Sequence, residues 1–131
     1  EAIIHHLDID IAMQEIRRVL KPGGFAMFLE PRGNNPVINR FRNRTPHLRT
    51  IDEHPLVKAD FDIMKKYAEI EEKNFYLLSL SSFVFRKLIK SELLFRINKA
   101  IYDKLDSFLF AAMPFLRKYA WYCIVKLKMK R

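Results

Sequence analysis

Cysteine, glycine and long apolar runs are all scarce in this sequence, and each scarcity excludes a class of protein. Cys123 is the only cysteine, which excludes an internal disulfide framework and is typical of a reducing compartment, so we expect a cytoplasmic location. The three glycines form no Gly-x-Gly pattern between a strand and a helix, so no glycine-rich cofactor loop is visible. No apolar run is long enough to cross a membrane. No cluster has metal-ligand spacing, because the adjacent His5 and His6 cannot share one face, and we predict no metal site.

The composition favours a globular protein with a real core. Half of the 131 residues are hydrophobic, which is enough for one domain. The net charge of +9 suggests an anionic partner or surface, although a surplus of lysine also serves solubility. Nucleic acid is disfavoured as a partner, because the basic residues between 32 and 49 are interleaved with only one aromatic residue, Phe41.

The best-defined stretch runs from Glu15 to Pro31 and predicts a helix, a tight turn and a strand. Pro22 and the two glycines after it end the helix and allow the backbone to reverse. Residues 25–29 are continuously apolar, as in a strand that is covered on both faces. The helix itself is indicated by one apolar stripe, formed by Ile9, Ala12, Met13, Ile16, Val19 and Leu20.

These features resemble class I S-adenosylmethionine-dependent methyltransferases. The matching residues are Ile3, Ile4, His5, His6 and Leu7, then Glu15, Arg18, Val19, Leu20, Lys21, Pro22, Gly23 and Gly24, then Leu29, Glu30 and Pro31. The resemblance implies an α/β fold, the carboxyl-terminal part of a Rossmann-like methyltransferase sheet with a final antiparallel strand and helices packed on it. It also implies S-adenosylmethionine as the cofactor. Because the family's glycine-rich loop and acidic ribose partner are missing, we interpret residues 1–131 as a partial domain without the amino-terminal cofactor-loop half.

Four segments are predicted to share one sheet: Ile3–His6, Phe25–Glu30, Phe75–Leu80 and Tyr122–Lys128. The first two should be parallel, because a helix crosses between them. Residues 121–130 show the cleanest period-two pattern in the chain, with lysines on the outer face of its second half. The resemblance implies that this last strand is antiparallel and inserted near the edge of the sheet.

Residues 32–73 and 86–118 are predicted to be helical or loop insertions for acceptor or surface contact. The arginine-rich part, residues 32–49, forms either an electropositive wall over an acceptor or a solvated connection. In the second insertion we expect an apolar helix face to pack on the sheet, with a membrane surface as the alternative. That face consists of Leu94, Ile97, Ile101, Leu105, Phe108 and Ala112.

Three histidines are the candidate catalytic residues: His5, His6 and His54. Histidine titrates naturally near neutral pH and suits a general base. His5 and His6 follow a predicted strand, at the sheet edge where ligands bind in open α/β folds; with Ile4, they are also the candidate cofactor contacts. The alternatives stay open, since the histidine pair can fill a turn and the Asp52–His54 trio can be a helix entry. Candidate substrate contacts are Glu30, Arg32 and Asn35.

The leading hypothesis is methyl transfer from S-adenosylmethionine to a small-molecule or lipid-like acceptor. The enzyme would chiefly align the nucleophile, the methyl group and the leaving sulfur in a dry pocket. We expect the 131-residue chain alone to bind the cofactor poorly and to be inactive. The rival is a non-catalytic basic module that docks on an anionic membrane surface or a protein partner, so peripheral membrane association stays open.

Overall fold

The computed structural model describes residues 3–48, 50–82, 86 and 90–130. Its helices are α1 (Ile9–Val19), α2 (Pro36–Arg44), α3 (Lys58–Tyr67) and α4 (Glu92–Ala112), and its strands are β1 (Phe25–Pro31), β2 (Ala68–Phe75) and β3 (Tyr122–Met129). Short 3₁₀ helices occupy Ile4–His6, Pro46–Leu48 and Pro114–Tyr119. Among the helices in the described ranges, none has the length and apolarity that a membrane crossing requires.

The three strands form one sheet in the order β1-β3-β2. β3 is antiparallel to both neighbours, with Val125 opposite Phe28 of β1 and opposite Glu72 of β2. β1 and β2 therefore run parallel to each other, with β3 between them. The prediction that residues 25–30 and 122–128 share a sheet, the latter running antiparallel, is confirmed. The architecture is α/β, with a small sheet and helices packed on it.

The core lies on one face of this sheet. α1 and α3 contact each other, and their Met13 and Met64 are fully buried in a cluster with the sheet. The opposite face carries Phe25 and Met27, each more than half exposed. The expectation that β1 is covered on both faces is therefore not met by the described residues, because α1 and α3 both add to the same side. The buried side chains of β3 alternate along the strand, as its pattern predicts: Cys123, Val125 and Leu127.

The turn before β1 uses its two glycines differently. Gly23 has a φ of +78°, a left-handed conformation that favours glycine. The N–H of Gly24 donates to the carbonyl of Lys21 at 2.8 Å, and a Cβ atom on Gly24 would lie 2.9 Å from that same oxygen. The helix stop is confirmed, but only Gly23 takes a positive φ; Gly24 is required by close packing of the backbone.

The prediction that Ile3–His6 forms a strand is wrong. Residues 4–6 form a 3₁₀ helix, and no described strand pairs with them. The physical reason is the carboxylate of Glu30, which accepts the N–H groups of Ile3 and Ile4 at 3.0 Å each. These N–H groups are thereby turned toward one side chain and are not aligned along a sheet ladder.

The predicted strand Phe75–Leu80 is also wrong, because the strand β2 lies earlier and ends at Phe75. Glu69, Glu71 and Lys73 of β2 alternate onto the outer face, where Lys126 of β3 forms an ion pair with Glu71 at 3.0 Å. Cross-strand pairs of this kind favour a strand whose own pattern is polar. Tyr76 then adopts a φ of +63° and ends the strand.

Helix α4 is confirmed as a helix that ends before Pro114, but its apolar face does not pack on the sheet. Leu94, Ile97, Ile101, Leu105 and Phe108 are each more than 40% exposed. The helix is held instead through Asp106, whose carboxylate accepts the N–H of Leu78 at 2.7 Å. This anchor on the opposite side of α4 turns the apolar face away from the sheet.

Candidate functional site

The carboxyl end of β1 organises the candidate site through Glu30. This side chain is fully buried because Glu30 faces the core side of the sheet, opposite Cys123 of β3. Its carboxylate accepts the backbone N–H groups of the three residues 3–5, and the imidazole Nδ1 of His5 lies 2.7 Å from its Oε2. A buried carboxylate is stable only with such partners. Glu30 thus ties residues 3–6 to the end of β1.

His5 is the least accessible of the three candidate catalytic histidines. Its side chain is 7% exposed, and its Nδ1 is occupied by Glu30. An ionised carboxylate only accepts hydrogen bonds, so opposite Glu30 it is Nδ1 of His5 that carries the hydrogen. His5 therefore positions the turn, and its ring lies 4.0 Å from the ring of His6, centroid to centroid. Ile4 is also almost fully buried.

His6 forms the most base-like arrangement in the described structure. Its Nδ1 lies 2.9 Å from Oδ2 of Asp52 and 3.3 Å from the hydroxyl of Thr50, and its side chain is about one-third exposed. A hydrogen bond from Thr50, aided by His6, lowers the pKa of the Asp52 carboxyl. An ionised Asp52 holds the proton of His6 on Nδ1, which leaves Nε2 free to accept a proton.

Backbone hydrogen bonds hold His54 beside the histidine pair. Its N–H donates to the carbonyl of His5 at 2.8 Å, and the segment is fixed to the end of β1 because the N–H of Leu56 donates to the carbonyl of Pro31 at 2.9 Å. The structure therefore brings together the three histidines that the sequence singled out. His54 and His6 line one cleft of about 450 Å³.

The carboxylates in this cleft already have partners. Asp8 caps α1 by accepting the N–H of Ile11 at 3.0 Å, Asp60 accepts the N–H of Val57 at 2.8 Å, and Asp10 accepts the hydroxyl of a tyrosine in α3. No group of three or more metal-ligating side chains occurs among the described residues. The imidazoles of His6 and His54 are groups in this cleft that can transfer protons.

The two acidic residues that precede His54 in the sequence pair with other side chains. Asp52 pairs with His6, and Glu53 lies 4.0 Å from Nε of Arg42. The pairing of His6 with Asp52 was missed from sequence because the two residues are 46 positions apart, and no local pattern signals such a contact. The interpretation of residues 52–54 as a simple helix entry is incomplete for the same reason.

Arg32 is buried in a polar network one residue beyond β1. Its Nη1 donates to Glu72 at 2.7 Å and to Asn74 at 3.1 Å, and its guanidinium lies 4.7 Å from the centre of the Phe61 ring. Charge-assisted hydrogen bonds of this kind are strong when desolvated. Arg32 thus joins the end of β1 to β2 and lines a cavity of about 490 Å³ that also includes Lys58, Lys65 and Lys118.

Asn35 is held equally firmly. Its side-chain oxygen caps α2 by accepting the N–H groups of Val37 and Ile38, and its amide donates to the carbonyl of Tyr119 at 2.7 Å. The polar atoms of Glu30 and Asn35 therefore maintain the fold around the cleft. Substrate contact by Glu30, Arg32 and Asn35 stays a prediction.

The single thiol lies close to this network but is not poised for nucleophilic chemistry. Burial raises the pKa of Cys123 to about 12, so the thiol is protonated at neutral pH and is a poor nucleophile.

Comparison with known proteins adds no relative. Neither a scan against protein-family models nor a search of curated proteins found a match to this chain.

Proposed function

We propose that this chain is the carboxyl-terminal part of a class I S-adenosylmethionine-dependent methyltransferase that acts on a small-molecule or lipid-like acceptor. The observation that carries the proposal is the strand order β1-β3-β2, in which the last strand is antiparallel to two mutually parallel neighbours. An inserted, antiparallel final strand is what the resemblance implies. The Leu20–Gly24 turn leads directly into β1, and the histidine cluster lies beside the end of that strand.

The described residues fit only one side of a cofactor site. Gly24 and Gly33 are packed against the backbone of Lys21 and Pro55 respectively, at under 3 Å from a Cβ position, so neither leaves room for a ligand. The carboxylate of Glu30 is fully engaged by protein groups. We therefore propose that the adenosine and methionine portions of the cofactor are bound by residues outside these 131, and we assign no binding contact to them here.

The proposed contribution of this chain is proton transfer. His6 accepts a proton at Nε2 from a hydroxyl or acidic carbon of the acceptor, while Asp52 stabilises the imidazolium through Nδ1. His5 and Glu30 keep the turn in place, and His54 closes the cleft beside His6. S-adenosylmethionine supplies the electrophilic methyl group when bound. This division of roles needs little covalent machinery on the protein side.

The proposal is tested with a longer protein that contains these 131 residues together with the proposed cofactor-binding half. Transfer of a radiolabelled methyl group to a panel of small hydroxyl compounds and extracted lipids should be detectable. Loss of a general base generally lowers the rate about 10² to 10⁴-fold, so His6→Gln should do so. The matched control is His47→Gln, because His47 is exposed and does not line the cleft. Absence of both cofactor binding and methyl transfer in the longer protein would refute the proposal.

The 131-residue chain itself gives a second test. Isothermal titration with S-adenosylmethionine should show no appreciable binding, because one wall leaves most of the ligand in water, whereas tight sites bury about 70–90% of it. A dissociation constant in the low micromolar range would show that the cofactor site has been misplaced.

A further inference from the structure

The surface of α4 that faces away from the protein is a continuous apolar stripe. Its large side chains are between 43% and 68% exposed, although isolated exposed leucines would need no explanation. Spacings of three and four residues place them on one side of the helix. The stripe consists of Leu93, Leu94, Ile97, Ile101, Leu105 and Phe108.

The orientation of the stripe is fixed by contacts on the other side of α4. Asp106 is almost fully buried and accepts the N–H of Leu78 and the hydroxyl of Ser79, each at 2.7 Å. Phe110 is also buried. At 100° per residue, Asp106 and Phe110 lie on the opposite side of the helix from Ile101. Rotation of α4 to hide the stripe would break this anchor.

Exposed apolar side chains also occur in the segment that follows α4. Met113 and Phe115, in the segment that follows the helix, are 37% and 62% exposed. Phe108 and Phe115 are thus two exposed aromatic residues near the carboxyl end of α4. Aromatic and aliphatic side chains of this kind enter the boundary between lipid headgroups and acyl chains readily.

The charges of α4 are segregated around the stripe. Asp103 and Glu92 lie on the far side of the helix and form ion pairs with Lys99 and Arg86 respectively. Lys104 is exposed and lies on the stripe itself, three residues after Ile101. The helix thus presents basic charge with its apolar surface, and its acidic groups are directed away.

We propose that α4 docks the protein on an anionic phospholipid membrane, with the stripe inserted at the headgroup boundary and the helix parallel to the surface. Anionic headgroups would neutralise Lys104, while its lysine stem extends along the apolar surface. The proposal concerns a surface separate from the histidine cleft and holds whether or not the chain transfers methyl groups.

A second copy of the chain fits this surface less well. Lys104 lies close to the midpoint of α4, so pairing of two copies through the stripe brings the two Lys104 side chains near each other in either direction. Like charges in an apolar contact are unfavourable. An anionic bilayer meets the same residues with opposite charge.

The test is flotation of the full chain with vesicles of phosphatidylcholine, alone or mixed with phosphatidylglycerol, at low and high salt. Binding should require the anionic lipid and weaken with salt, because the charge contribution is screened. The double variant Ile101→Glu, Phe108→Glu should weaken binding at least about tenfold, since it places two charges where apolar groups enter the lipid. The control is Val37→Glu, which adds a charge at an equally exposed apolar position of α2.

The results distinguish a membrane from a second copy of the chain as the partner of the stripe. Weakened binding by the double variant, with Val37→Glu unchanged and circular dichroism of both variants like that of the unaltered chain, supports the proposal. Absence of binding to phosphatidylglycerol vesicles, or equal loss in both variants, overturns it. A dimer in analytical ultracentrifugation that only the double variant dissociates would identify a second copy as the occupant and also overturn it.

Discussion

Replacement of Glu30 should loosen the turn that carries the candidate histidines. In Glu30→Gln the side-chain oxygen still accepts from Ile3 and Ile4, but the amide group meets Nδ1 of His5 in place of a carboxylate oxygen. One charge-assisted hydrogen bond in a buried site is lost, which costs about 1.5–3 kcal/mol of unfolding free energy. Glu30→Ala leaves the His5 imidazole and the three backbone N–H groups of residues 3–5 without this acceptor and should cost roughly twice as much.

The assay is urea unfolding followed by circular dichroism, with the free energy extrapolated to water. Glu15→Gln is the matched control, because Glu15 makes an ion pair with Arg18 in which both side chains are more than half exposed. Exposed pairs contribute little, so this variant should unfold like the unaltered chain. A second series adds His5→Ala, whose loss should be smaller in the Glu30→Gln background because the two residues share one interaction.

The reasoning would be refuted by a Glu30→Gln variant with unaltered stability, or by losses for Glu30→Gln and His5→Ala that simply add. Either result would mean that the contact between His5 and Glu30 contributes nothing to the folded state.

Three further predictions concern the turn, the thiol and the α4 anchor. Gly24→Val should lower the melting temperature by several degrees, because a Cβ at this position would lie 2.9 Å from the Lys21 carbonyl oxygen and overpacking generally costs about 1–3 kcal/mol. An unchanged melting temperature would mean that the backbone shifts freely. Cys123 should resist iodoacetamide at pH 8 until the chain unfolds. Its folded pKa of about 12 lies above the reference value of 9.0, so the thiol of the unfolded chain ionises at lower pH than that of the folded chain. The stability of the folded state should therefore fall as pH rises between these two values. Immediate labelling of the native chain would contradict the burial of the thiol. Asp106→Asn should release α4 and speed limited proteolysis near Leu78, whereas Asp103→Asn, the surface control, should not.

Much of the fold follows from patterns that lie within a few residues of each other. The stripe of α1, the proline and glycines after it, the apolar run of β1 and the alternation of β3 each specify their own local structure. The two confirmed strands could be paired in advance because buried apolar strands in one small domain must share a core. The helix α4 was equally visible, since its periodicity extends over several turns.

Only the tertiary structure decided which polar groups meet. Ile3–His6 resembles a strand in composition, but Glu30 accepts its N–H groups and makes it a 3₁₀ turn. His6 acquires Asp52 as its partner from a distant segment, and Asp106 turns the apolar side of α4 outward. A carboxylate buried away from water must find donors wherever the folded chain brings them. Such long-range hydrogen bonds leave no periodic trace in the sequence, whereas apolar burial does.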